Sequence, residues 1–310
     1  MAGDGFVHRL TTRVRTAIDA PTSVLRLEII RVLAPLAILG FMAPRLAHAD
    51  EWLGRSGFRM PELATDTRQP LYLPGMPPLV VGLVAATMVL AGLSCSAGWK
   101  TRWSALLFAS VLAFVALSDR LAAFTVSKIG PVVILTLALG PAGRRMGVDA
   151  WRARRRGEPL SPLAAPQGSL RFIQCFLPVF YCASGLAKAA GDWLSNPLIL
   201  YTHVHDSYQT PVSFLIAEVL PRWAWAILPW PVLFFETFAP LWFALRLTRP
   251  IAFLYAVSLH VMIGLMFGPV IWFALLMIAL NMGAYLPDAW LAPLERRVAA
   301  FEQRPPVPVG

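Results

Sequence analysis

Residues 78–118 read PLVVGLVAATMVLAGLSCSAGWKTRWSALLFASVLAFVALS. Two apolar runs, at about 78–97 and 103–118, are parted only by Gly98-Trp99-Lys100-Thr101-Arg102. A helix rises 1.5 Å per residue, so about 20 apolar residues cross a hydrocarbon core of about 30 Å. Both runs approach that length. Inside lipid a lone segment can satisfy its own amides and carbonyls only as a helix. The stretch therefore reads as a helical hairpin in a bilayer, with its polar turn at one surface.

The same pattern recurs on both sides of the hairpin. Apolar runs lie at about 25–43, 121–140, 169–190, 225–245, 250–267 and 269–286. The first opens with Arg26, Glu28 and Arg31, and the run at 121–140 is weakened by Lys128 and Pro131. The expected fold is all-α, a polytopic helical membrane protein with about eight transmembrane helices, within a range of six to eight. Residues 25–290 form the transmembrane domain. Residues 1–24 are basic and mildly amphipathic, an interfacial segment on the cytoplasmic side. Residues 44–77 read as a polar, Pro-rich loop with a short surface helix, and 191–224 as a loop holding an interfacial helix, PVSFLIAEVLPRW. Residues 291–310 read as a polar cytoplasmic tail with a disordered, Pro-rich end. Basic residues ahead of VLAPLAILGFMA and Ala47-His48-Ala49 imitate a cleaved signal peptide. The leader would be unusually long, so the run is read as the first span. No internal repeat is visible, which gives an inverted-repeat transporter no support.

Composition agrees. Of 310 residues, 57% are hydrophobic and 14% charged. Soluble domains average about 45–50% and about 25%, so a soluble globular class is disfavoured and a disordered one excluded. The net charge of +10 would suggest nucleic acid if it formed one patch. Instead it is distributed by topology. With eight crossings and a cytoplasmic N-terminus, 18 of the 27 Lys and Arg fall in inside segments and 7 in outside segments, two more lying within runs. Cytoplasmic loops carry such an excess. The count places both termini in the cytoplasm of a multi-pass protein, in the inner or plasma membrane if the cell is bacterial. The basic stretch GRRMGVDAWRARRRGE then faces anionic lipid, not nucleic acid.

Cys95, Cys175 and Cys182 form no CxxC site. Ionisable groups inside spans are costly and are functional candidates by default. Glu236 and His260 sit near the middle of consecutive runs and are expected at similar depth, where they would pair. That pair reads either as an interhelical clasp or as a proton relay. Lys188 ends LPVFYCASGLAK, whose Ala183, Ser184, Gly185 and Ala187 allow a neighbouring helix to approach closely. A desolvated Lys there is a usable base, although spacing alone favours a Lys snorkelling to the interface. His203-Val204-His205-Asp206 would put both imidazoles on one face if extended. With no HExxH or CxxC beside them, no metal site is assigned. Arg26, Glu28 and Arg31 suggest anchoring and i,i+3 pairing.

Four stretches carry a family resemblance: VLRLEIIRVLAPLAILGF, LAGLSCSAGWKTRWSALLFASVLAF, SLRFIQCFLPVFYCASGLAKAAGDWLSN and FFETFAPLWFALRLTRPIAFLYAVSLHVMIGLMF. Over about residues 24–290 the chain resembles the HTTM domain, the membrane portion shared with vitamin K-dependent γ-carboxylase. The resemblance implies that Lys188 is the base acting on a quinol and that His260 is the membrane His of the later span. The Asn-His pair that opens the family's fourth span is replaced by Ser127-Lys128. The chain also ends near its last span, without the lumenal region that binds protein substrates. A complete peptide γ-carboxylase is therefore not expected.

Three functions remain open. The first is an enzyme acting on a lipid-soluble quinone or quinol, or a small substrate, with Lys188, His260 and Glu236 at its site. The second is a non-catalytic membrane partner of a redox or export pathway. The third, least supported, is a small-solute or proton transporter.

Overall fold

The structure, a computed structural model, describes residues 8, 11–12, 15–16, 18–57, 73–118, 124–205 and 208–302. Helix α1 (Leu25–Ala47) is followed by the short α2 (Ala49–Leu53), then by α3 (Pro78–Ala97), α4 (Thr101–Ser118) and α5 (Thr125–Leu139). A surface helix, α6 (Val148–Arg155), leads to α7 (Gly168–Ala190). Five short helices come next: α8 (Ile199–Val204), α9 (Pro211–Val219), α10 (Arg222–Ile227), α11 (Pro229–Thr237) and α12 (Ala239–Ala244). Helices α13 (Arg249–Met266), α14 (Ile271–Tyr285) and α15 (Asp288–Glu302) complete the chain. The only strands among the described residues are β1 (Pro21–Ser23) and β2 (Ala164–Pro166), antiparallel with Thr22 opposite Ala165.

Six helical stretches are long and apolar enough to cross a membrane: α1, α3, α4, α7, α13 and Gly268–Tyr285, which ends in α14. The count rises to seven if α9 and Arg222–Thr237, bent by 110° at their break, form one span. The hairpin quoted above is α3 and α4. Val81, Met88 and Cys95 of α3, seven apart, are buried, while Leu79, Leu83 and Leu90 are exposed. Large apolar side chains stand outward on α4, α7 and α13 too. A soluble monomer rarely exposes so much contiguous apolar surface. A bilayer covers it, and the protein is a multi-pass membrane protein.

Two expected runs come out differently. The run at 121–140 yields only the 15-residue α5. The run at 225–245 is not one helix but parts of α10, α11 and α12. Pro229 and Pro240 start the second and third of these. Proline has no N–H to donate and its ring crowds the preceding turn, so the breaks fall at Leu228 and Phe238. The expected interfacial helix becomes α9, closed by a capping box between Thr210 and Ser213. The polar tail is helical through Glu302 and docks on the basic segment: Arg145 pairs with Glu302 and Arg154 donates to the Phe301 carbonyl at 2.6 Å. Its Pro-rich end and most of the N-terminal amphipathic segment lie outside the described residues.

Helix α1 forms the core's axis. Leu25, Leu27, Ile30, Ala34 and Ile38 are fully buried. A Cβ on Gly283 of α14 would lie 2.2 Å from the Ile30 side chain and 2.7 Å from the Arg26 carbonyl. Only glycine allows this approach. Arg26 crosses the same contact, donating to the Leu286 carbonyl at 2.8 Å and to Asp288 at 2.5 Å. A cation thus sits at the C-terminal, partially negative end of α14.

Candidate functional site

On α7, Tyr181, Ser184, Gly185 and Lys188 follow at i, i+3, i+4 and i+7, which puts them on one face. Gly185 decides what that face meets. A Cβ there would stand 2.5 Å from the Thr237 amide nitrogen and 2.9 Å from the Glu236 carbonyl carbon. The missing side chain lets the backbone of α11 lie directly on α7. Glu236 then comes within reach of Lys188, and the two form an ion pair. The Lys188 ammonium also donates to Ser184 Oγ at 3.2 Å and stands 5.0 Å from the centre of the Trp193 ring. The Glu236 side chain is 7% exposed and that of Lys188 24%. The pair is closed on the carboxylate side and partly open on the ammonium side.

Two turns along α7, Tyr181 begins a second polar group. Its hydroxyl lies 2.9 Å from His260 Nε2 on α13 and accepts from Asn281 Nδ2 on α14 at 2.8 Å. Asn281 Nδ2 also donates to the Met277 carbonyl at 2.8 Å. The hydroxyl and His260 Nε2 share one hydrogen bond whose direction follows the imidazole tautomer. When the hydroxyl donates, the imidazole proton sits on Nδ1. Both His260 Nδ1 and Asn281 Oδ1 are buried and have no hydrogen-bond partner among the described residues. Aromatic rings seal the group: Phe235 and Phe243 pack on Tyr181, and Phe273 meets His260 edge-on at 5.5 Å. Buried polar groups normally find partners. One ring nitrogen and one amide oxygen, on two side chains joined through the Tyr181 hydroxyl, thus stay without a partner in an apolar shell.

All three candidate residues therefore gather on the α7, α11 and α13 faces. Their pairing is not the expected one. Glu236 turns to Lys188 and His260 to Tyr181, because the proline-broken α11 is drawn onto Gly185 instead of running as a straight neighbour of α13. Tyr181 and Asn281 were not singled out in the sequence. Two signals could have found them: Asn281 is an amide in an otherwise apolar run, and Tyr181 precedes Lys188 by seven residues.

Other candidates stand apart. His203 and His205 belong to α8 and its cap, not to an extended strand, and each ring bonds a carbonyl four residues back at 2.7 Å. Positions two apart on a helix point in nearly opposite directions. Asp206 lies outside the described residues. Among the described residues, no three His, Cys, Asp or Glu come together as metal ligands would. At the place of the family's Asn-His pair, Ser127 is buried and Lys128 is exposed.

Glu28 and Arg31 pair at 2.6 Å, as their spacing suggests. Arg31 also donates to the carbonyls of Cys95, Ser96 and Met146, and Glu28 accepts from the amides of Arg145 and Met146. Every charge in this cluster is answered, so it works as a clasp between α1, the end of α3 and the segment before α6.

No curated protein and no solved structure matches the chain. A family match does exist: residues 22–290, nearly all of it, fit the HTTM domain. The bundle, with its face of Tyr181, Gly185 and Lys188 set against later spans, is thus the fold of a member of the HTTM domain family.

Proposed function

We propose that this protein is a membrane-embedded enzyme that moves a proton to or from a lipid-soluble, quinone-like ligand. The reading rests above all on two partnerless buried atoms, His260 Nδ1 and Asn281 Oδ1, two helical turns from a half-buried Lys–Glu pair. A carbonyl oxygen of the ligand suits the Nδ1 proton, and a hydroxyl suits Oδ1. Such a ligand brings a two-electron redox couple linked to proton transfer. The protein's part is to hold the ring between aromatic walls and to manage one proton. Lys188 passes its extra proton to Glu236, and the freed amine takes one from a ligand hydroxyl. The low dielectric favours the first step, which removes two charges; the second restores a charged pair, the ammonium beside the ligand oxyanion. The basic end of the bundle is read as cytoplasmic.

A second reading has its own support. Glu28 and Arg31 show that this chain uses a buried ion pair as a clasp. Lys188 and Glu236 would do the same between α7 and α11 in a non-catalytic partner of a redox or export pathway.

One experiment separates the two. Lipids retained by the purified protein are identified by mass spectrometry, for the native chain and for the double variant Lys188→Met/Glu236→Gln, which leaves no charge unpaired. A quinone retained by the native chain and lost from the variant supports the enzyme. Equal lipid content in both sinks it and leaves the clasp.

A further inference from the structure

A second site lies at the basic end of the bundle and shares no residue with the first. Helix α4 is 18 residues long and starts at Thr101 directly after a tight turn. Gly98 is left-handed with φ 73°, and so is Lys100 with φ 45°, the only described non-glycine residue at positive φ. The turn opens on a recess of about 700 Å³ between α4 and residues 138–161. Lys100, Arg102, Arg144 and Arg156 line it, against Asp149 and Glu158. Arg156 is held by Glu158 at 2.6 Å. Arg102 and Arg144 are exposed and make no hydrogen bond or ion pair among the described residues.

An independent observation points to a ligand. Thr101 lines the recess and is 4% exposed, yet its hydroxyl has no hydrogen-bond partner among the described residues. The first amides of a helix have no acceptor within it and carry partial positive charge. The partial positive charge of the helix start, an unanswered hydroxyl and two cations without counterions all call for the same thing, an oxyanion with several acceptor oxygens. Trp99, Trp103 and Leu139 stand exposed beside the opening, where indole rings suit the headgroup layer of a bilayer.

We propose that this recess binds a phosphate group, either the headgroup of an anionic lipid or a free phosphate. The four-cation lining exceeds the local acids by two charges, so a phosphate neutralises the site. The Trp-flanked opening allows the group to arrive on a lipid whose chains remain in the bilayer.

The test is a native mass spectrometry titration of the full chain in detergent with three probes: dihexanoyl-phosphatidic acid, dihexanoyl-phosphatidylcholine and inorganic phosphate. The variant Arg102→Gln/Arg144→Gln removes two exposed cations. Arg155→Gln, an exposed position outside the recess, is the control. Phosphatidic acid binding weakened about tenfold or more in the double variant and unchanged in the control supports the site. Added inorganic phosphate that displaces the lipid, with the same variant dependence, identifies free phosphate as a sufficient ligand. No displacement identifies the headgroup as the source. Thr101→Val, nearly equal in volume, is expected to weaken binding as well. Binding that is indifferent to the double variant, or as tight for the zwitterionic lipid as for the acidic one, overturns the proposal.

Discussion

Glu28 and Arg31 pair at 2.6 Å with side chains that are 0% and 1% exposed. An ion pair so deeply withdrawn from water stands only because each partner is also bonded to backbone. Arg31 caps the C-terminal carbonyls of α3, and Glu28 gathers the amides at residues 145 and 146. Arg31→Ala leaves an uncompensated carboxylate and open carbonyls, so a loss of about 3–5 kcal/mol is expected. Unfolding in detergent, followed by tryptophan fluorescence, checks this. A variant as stable as the native chain would show that the pair does not hold these segments together.

Gly185→Val places a branched side chain where the Thr237 amide already stands 2.5 Å from a bare Cβ position. Helix α11 has to move away, with a cost of about 1–3 kcal/mol. The shift also parts Lys188 from Glu236. Cysteines placed at 188 and 236 and joined by a short bifunctional thiol reagent should cross-link readily with Gly185 present and slowly with Gly185→Val. Equal rates would mean that the helices do not touch at this point.

Tyr181→Phe keeps the ring between Phe235 and Phe243 but deletes the hydroxyl that links His260 to Asn281. A loss of about 1–3 kcal/mol is expected, because His260 Nε2 becomes another buried atom without a partner. Thermal unfolding measures that loss, and lipid mass spectrometry follows any retained quinone. On the enzyme reading the quinone falls with the hydroxyl. Full retention would put the ligand elsewhere.

Thr210→Ala removes the acceptor for the Ser213 amide at 3.1 Å and the donor to the Leu265 carbonyl at 2.6 Å. The expected cost is about 0.5–2 kcal/mol. Hydrogen exchange should show it as faster opening of α9 and of the last turn of α13, with α1 unchanged. Uniform acceleration throughout would mean that the bent α9 segment is part of the global unfolding unit.

Helix existence was legible in the runs because lipid imposes a length and leaves the backbone one solution. Interior faces were harder to read. In α3 both the buried Met88 and the exposed Leu90 are apolar, since the surroundings are oil on one side and protein on the other. Hydrophobicity alone cannot orient such a helix. For the same reason Glu236 could be placed in depth but not in direction. Its partner was decided by Gly185 and by the prolines that break α11, features that act through backbone distance. Asp288–Glu302 looked like a polar tail because a surface helix held by Arg145 and Arg154 buries little beyond Leu291.

Strands β1 and β2 are only three residues each, yet they join the starts of α1 and α7. Val24 donates to the Leu163 carbonyl at 2.8 Å, and Gln167 reaches back to the Thr22 carbonyl at 2.7 Å. The polypeptide is thereby looped: the basic stretch after α5 leaves and returns within one closed circuit. Severing that stretch with a protease would cut the covalent path without freeing either piece. The halves would remain threaded together through the clip and the α1–α14 seam, and would migrate as one particle until denatured.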